Sequence, residues 1–289
     1  MFLLIVSKTE QEIFEMELIS NYVIPIGIVI IVFFIIYRLI KIFQFYYASI
    51  FNKPLFIYRL FKLNNLSPRQ REILKNGHTF FRRLPYKHQR QFEHRVSEFI
   101  DTNEFIGREN LEVTEQMKVM IAATATMLCF GFKTYQLDIV ETVIIYPNAY
   151  YSQINNMYHK GEVNPRLKTI VFSWEHFLQG YEIGDDNLNL GIHEFGHAIH
   201  LNASRKNDLS SLIFNRGFKN LTAYLQENES VRQDLIASKY FREYAYTNHY
   251  EFFAVLLENF IETPLEFKSQ FPELYRCLKQ MLNFKFTGY

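Results

Sequence analysis

The sequence is poor in cysteine, tryptophan, glycine and proline. Its two cysteines, Cys129 and Cys277, lie far apart in a chain of 289 residues. That excludes a disulfide framework and a cysteine-rich zinc site, and it points to a reducing compartment. With 11 Gly and 8 Pro, and no visible repeat or low-complexity tract, collagen-like and linker-like compositions are excluded too. An excess of one charge is also missing: 31 Lys+Arg against 30 Asp+Glu give a net charge of +1, unlike a dedicated nucleic-acid binder. There is no G-x-S-x-G nucleophile turn, P-loop or G-x-G-x-x-G fingerprint, so serine hydrolase, NTPase and dinucleotide-enzyme readings have no residues behind them. What is plentiful is apolar and aromatic: 48% hydrophobic residues, with 29 Phe and 19 Tyr beside a single Trp. That composition excludes intrinsic disorder and supports a sizeable core.

Residues 18–37, LISNYVIPIGIVIIVFFIIY, carry no charge over twenty positions. As a helix this run spans about 30 Å, the thickness of a bilayer core. Arg38 and Lys41 follow at once, and four glutamates precede it, which is the reverse of a signal peptide's basic start. The neutral total is a cancellation: −3 for residues 1–17, +11 for 38–91 and −7 for 92–289. By the positive-inside rule the C-terminal side is expected in the cytoplasm. The basic stretch also suits anionic lipid headgroups, at about 1 kcal/mol per residue near the surface. The acidic remainder makes direct nucleic-acid binding unfavourable. The expected organisation is a short acidic segment (1–17), a transmembrane helix (18–37), a basic juxtamembrane segment (38–83) and a folded domain (84–289).

Within that last part, apolar spacing predicts helices from Pro85 to Asp101 and from Thr114, as N-cap, to Phe130, where Gly131 stops the second. DIVETVIIYP (138–147) and LKTIVFSW (167–174) read as strands, with a loop around Gly161 and Pro165 between them. Helices follow at about 186–203, 249–262 and 272–284. This order predicts an α+β domain, not alternating βα units.

One helix carries His193-Glu194-Phe195-Gly196-His197, which fits H-E-x-x-H. Two histidines four residues apart point in directions about 40° apart, so both rings reach one ion. A catalytic zinc takes three protein ligands and keeps one position for water, and Glu194 beside the first histidine can take that water's proton. A third histidine six residues after His197 would mark a metzincin, but that position is Ala203. Glu251, opening YEFFAVLLENFIE, is a candidate third ligand. Asn248-x-x-Glu251 also fits a helix capping box, so spacing alone leaves both roles open.

The segments FIGRENLEVTEQMKVMIAATATMLCFG (105–131), VIIYP (143–147), SWEHFLQG (173–180), NLGIHEFGHAIH (189–200) and YAYTNHYEFFAVLLENFIETPLEFKSQFPELY (244–275) resemble, in order, the Mlc titration factor A family of zinc-dependent peptidases. The likeness runs from about Leu84 to Leu282. It implies a zincin-like α+β fold with one zinc ion per chain, held by His193, His197 and Glu251. It also implies Glu194 as catalytic acid/base and Tyr244 as a tyrosine near the metal, with Tyr246 as the fallback. In some members of the family it implies contact with a transcriptional repressor. Two features depart from that pattern. His200 stands where the family usually has aspartate, and is expected to support the site or touch substrate. HEFGHAIH locally resembles the thimet-type oligopeptidases, for which Glu227 or Glu229 would be the third ligand. Asn189, one turn before His193, is expected to orient the helix or a ligand. LKTIVFSW is a candidate strand for peptide addition. His249, Glu258 and Glu262 are expected on the helix surface. The whole predicts a membrane-anchored zinc peptidase acting on peptides or proteins from the cytoplasmic side. The alternative is a binding module for a transcriptional regulator.

Overall fold

A run of apolar side chains can satisfy its backbone without water only as a helix, and the N-terminal run does so. α1 (Glu10–Leu18) passes through a π-helical turn (Ile19–Val23) into α2 (Ile24–Phe51). Pro25, with no amide hydrogen, follows the π-turn, where the Ile24 N–H donates to the Ile19 carbonyl instead of one residue later. The apolar helix extends over residues 12–51 with a mean hydropathy of 2.8 in its most apolar stretch, none of which is buried. The computed structural model describes residues 10–58, 62–152 and 156–289. The first nine residues of the acidic segment and Arg59 of the basic one lie outside the described residues.

The chain divides into two units, 1–51 and 52–289. In the second, α3 (Pro68–Gly77) begins at a Ser67/Gln70 capping box and α4 (Thr79–Arg83) is capped by the His78 ring. Leu66, Leu74, Phe80 and Phe81 are buried in the core, so core side chains begin well before residue 84. The basic residues of this stretch ride on helices whose apolar side chains point inward.

After these come α5 (Tyr86–Thr102), β1 (Glu104–Gly107), α6 (Glu115–Leu128), β2 (Thr142–Tyr146), β3 (Tyr150–Ser152), β4 (Met157–His159), β5 (Gly161–Asn164) and β6 (Thr169–Ser173). The rest is helical: α7 (Trp174–Glu182), α8 (Leu190–Arg205), α9 (Leu209–Glu227), α10 (Glu229–Ser238), a 3-10 segment (Glu243–Thr247), α11 (His249–Glu262), α12 (Pro264–Gln270) and α13 (Pro272–Met281). The arrangement is α+β, as expected.

Four strands form one sheet in the order β1-β2-β6-β5, parallel except for the antiparallel β5–β6 pair, while β3 and β4 make a separate hairpin. Val143, Ile145, Ile170 and Phe172 are fully buried on this sheet. Phe172 of β6 meets Phe195 of α8, with ring centroids 5.6 Å apart, and so seats the helix on the sheet. β6 is therefore an interior strand with both edges paired. It cannot accept an added peptide, which corrects the expectation placed on LKTIVFSW. β5, expected as a loop from Gly161 and Pro165, is an edge strand, with β1 at the other edge.

α6 is buried along almost its whole length by small and flexible side chains, and Thr114 caps it. Its far end is closed by Arg95, 2% exposed, whose guanidinium donates to the carbonyls of Cys129, Phe130, Phe132 and Ile57. A Cβ on Gly131 would stand 2.1 Å from the Leu282 carbonyl oxygen, so glycine there lets the turn pack directly on the C-terminal end of α13.

Candidate metal centre

Helix α8 starts where Asn189 caps it, its Oδ1 accepting from the Ile192 N–H at 3.0 Å. The Asn189 amide also donates to the Gly180 carbonyl at 2.6 Å and to Glu262 Oε1 at 2.9 Å, fixing the entry of the chain. One turn on, His193 and His197 project to the same side with their Nε2 atoms 3.1 Å apart. Glu251 of α11 brings Oε2 to 3.0 Å from the first Nε2 and 3.4 Å from the second. Among the described residues this is the only group of three or more His, Cys, Asp or Glu ligand atoms that lie within 4.8 Å of one another.

These separations suit a shared ion. Bonds of about 2.0–2.1 Å in tetrahedral zinc place ligand atoms about 3.3 Å apart. Glu251 Oε2 is buried without a hydrogen-bond partner despite its near neighbours, as expected of lone pairs that converge on a common point. Burial works against a charged His193, yet the Glu251 and Glu258 carboxylates hold its pKa up at about 9. Burial likewise pushes Glu251 up, but the two histidines hold it well below the usual carboxylate range. The cluster thus gathers negative charge that a cation would neutralise. Cap and cluster do not compete at Glu251: its backbone N–H is capped by Asn248 Oδ1 at 3.0 Å, while its side chain faces the histidines.

The other nitrogen of His193 is fixed from below. Nδ1 lies 2.7 Å from Glu258 Oε1, and Glu258 is only 1% exposed. With Nδ1 donating to the carboxylate, Nε2 is the nitrogen left facing the cluster, where a metal ion would take the place of its proton. Glu258 also accepts from Arg242 Nη2 at 2.5 Å and from the Asn189 N–H at 3.1 Å. Glu262 is partly buried and bonded to Asn189, and burial pushes its pKa up to about 7 against the pull of that bond. Glu258 is not a surface residue, contrary to expectation, because α11 is buried throughout 253–261, and Glu262 just beyond that run keeps only part of its surface in solvent. His249 is exposed, as read.

Glu194 is 6% exposed, and burial raises its pKa. His193 and His197 pull it back down, while Glu251 and Glu162 push it further up. The wall beside it is the backbone of β5. A Cβ on Gly161 would stand 2.7 Å from Glu194 Cγ and Oε1.

Tyr244, 53% exposed on the 3-10 segment, has its ring centroid 6.2 Å from that of His193. Burial, then the Glu251 charge and a hydrogen bond to Glu251, raise its pKa to about 12, so the phenol keeps its proton. Tyr246 turns away, donating to the Leu235 carbonyl at 2.9 Å. His200 also lies off the cluster, 8% exposed in a cage of Phe214, Phe218, Tyr250 and Phe253. Burial there lowers its pKa to about 4, and Nδ1 has no partner. Glu227 and Glu229 are exposed at the junction of α9 and α10, outside the cluster.

Arg242 is not singled out from the sequence, which offers Gly161 only as part of a loop and Glu258 only as a helix-surface residue. For Glu258 a signal existed: it stands seven residues after Glu251, two helical turns along the same face. Arg242 and Gly161 are placed by tertiary contacts that leave no local pattern.

A helix-borne His-Glu-x-x-His set, facing a carboxylate from a later helix beside the edge of a mixed sheet, is the framework of a metallopeptidase. Residues 58–283 match the family described as glucose-regulated metallo-peptidase M90, and the chain belongs to that family. Two relatives extend the likeness. A Synechocystis sp. protein, slr2042, described as uncharacterized, is 24% identical over 237 residues, 74% of this chain and 83% of its own length. Mlc titration factor A of Pectobacterium atrosepticum is 24% identical over 203 residues, 64% of this chain and 75% of its own.

Proposed function

We propose that this protein is a zinc-dependent peptidase. The reading rests on one observation above all: His193, His197 and Glu251 converge at 3.0–3.4 Å beside a buried glutamate. Zinc held by these three residues would lower the pKa of water toward about 7 and polarise the peptide carbonyl. The Glu194 carboxylate takes the proton of the attacking water and returns it to the leaving amine, a task suited to a carboxyl whose pKa is raised by burial. The Tyr244 phenol, still protonated, donates to the oxyanion developing on the carbonyl. An extended peptide pairs with the open edge of β5, which brings its backbone past Glu194. The test is Glu194→Gln on zinc-loaded protein, assayed with short peptides against a chelated control. Hydrolysis is expected to fall by about 10²–10⁴-fold with zinc content unchanged; undiminished turnover would sink the mechanism.

The long apolar helix supports a single-pass membrane anchor, with residues 52–289 on the cytoplasmic side and the basic residues of 38–91 against anionic lipid. A reporter fused after Tyr289 is expected to read cytoplasmic, and an external readout reverses the topology. A second reading has its own support in the likeness to Mlc titration factor A: the domain binds a transcriptional regulator. Peptidase activity that is absent with zinc bound, together with retention of such a regulator by the purified chain, would favour it.

A further inference from the structure

Tyr244 sits on a short segment held at four points. Phe241, 3% exposed, packs against Phe252, Phe267 and Phe271 at ring distances of 6.0, 5.8 and 5.4 Å. Ala245 is fully buried, and the Tyr246 hydroxyl bonds to the Leu235 carbonyl at 2.9 Å. The fourth point is Arg242. Its Nη2 lies 2.5 Å from Glu258 Oε1 and 3.3 Å from His193 Nδ1, and Nη1 reaches the Asn187 carbonyl at 3.4 Å. The first three anchors bind the segment to neighbouring helices. Arg242 alone among them grips the carboxylate that orients a candidate metal ligand.

A carboxylate 1% exposed is costly unless paired. The salt bridge from Arg242 meets that need, and the planar guanidinium meets it in a fixed direction. Because Arg242 stands two residues before Tyr244, the direction that satisfies Glu258 also sets where the phenol can reach.

We propose that Arg242 is a positioning residue for both halves of the centre: clamped on Glu258, its guanidinium fixes the ring of His193 from below and the reach of Tyr244 from the side. Metal holding and oxyanion stabilisation are thereby set by one ion pair. The activity arm of this inference rests on the peptidase reading, and the zinc-affinity arm does not.

The test is a double-mutant cycle on the full chain with Arg242→Ala and Tyr244→Phe. Zinc affinity is measured by chelator competition, and kcat and KM with a short peptide. Arg242→Ala is expected to weaken zinc binding by about 10-fold and Tyr244→Phe to leave it unchanged. Each single variant is expected to lower kcat by about 10²-fold with KM nearly constant, and the double variant to lose about 10²-fold in total, not 10⁴-fold, because both remove one interaction. Arg242→Lys, which keeps the charge against Glu258, is expected to recover most of the zinc affinity. Multiplicative losses in kcat, or Arg242→Ala with wild-type zinc affinity, would overturn the proposal. Should the alanine variant fail to fold, Arg242→Gln carries the same cycle. If the wild type turns over no faster than Glu194→Gln, the peptidase reading falls and the zinc comparison alone decides the role of Arg242.

Discussion

Helices α8 and α11 pack on each other and hold the candidate centre between them, yet they carry its residues in opposite ways. α8 displays its histidines and glutamate as a spaced motif that stands out in any reading. α11, HYEFFAVLLENFIE, looks like an ordinary core helix with a few charges on its rim. Its glutamates at 251, 258 and 262 nonetheless share one face, and that face meets α8: Glu251 at the paired Nε2 atoms, Glu258 under His193 and Glu262 on the cap of the helix. The difference teaches how to read a carboxylate inside an apolar run. Burial without partners would cost several kcal/mol, so a glutamate there marks where donors must arrive from another element.

The comparison breaks most severely at Glu251. Glu251→Ala removes a candidate ligand, and zinc affinity is expected to fall by more than the roughly 100-fold seen when only an outer partner is lost. Metal analysis after dialysis checks it, and a full zinc complement would leave Glu251 with only its place at the helix cap. Glu258→Gln should weaken zinc by about 10–100-fold while keeping the fold, and a variant that binds as tightly as wild type would detach Glu258 from the centre. Gly161→Ala pushes a methyl to 2.7 Å from Glu194. A stability loss of about 1–3 kcal/mol in denaturant unfolding is expected, together with lower turnover at unchanged zinc content.

Histidines sharpen the same contrast. Burial lowers the pKa of His78 to about 3, whereas the carboxylates of α11 hold that of His193 at about 9. His78 is neutral in the folded chain and titrates near 6.5 when unfolded, so the unfolded state binds the extra proton between pH 6.5 and about 3. Its contribution is complete above that window and is lost as pH falls, at up to about 1.4 kcal/mol per pH unit. His78→Asn, which can still cap α4, should flatten the acid limb of the stability profile by that slope. An unchanged slope would show that His78 is not held neutral. The smallest effect belongs to Glu229→Ala, expected within about 0.5 kcal/mol in stability and without change in zinc affinity. A loss of metal there would move the third ligand to α10.

Legibility followed the same divide. The boundaries of α5, α6, β2, β6, α8 and α11 lie within a few residues of those expected from apolar period and caps, since in each the local pattern and the burial agree. β5 does not stand out because four residues that open on Gly161 and run into Pro165 show no alternation, and the sheet alone makes them a strand. Residues 66–83 were read through their charge, and their buried Leu74, Phe80 and Phe81 were overlooked. At the site, His193, Glu194 and His197 stand in the sequence as a pattern, and the family likeness pointed to Glu251 and Tyr244. His200 illustrates the limit of helical spacing: it shares a face with His193 at seven residues, but α9 and α11 close an aromatic cage around it.

The missing side chain at Gly161 also governs how the chain assembles. Gly161 pairs with Phe172 on β6, and Lys160 and Glu162 stand on either side of it. A slip of one residue would turn every side chain of β5 to the opposite face and offer Glu194 a lysine or a second carboxylate where there is room for a hydrogen. The helix with its glutamate can close on the sheet in one alignment of that strand. A misthreaded edge would therefore declare itself as an undocked α8, before any substrate is met.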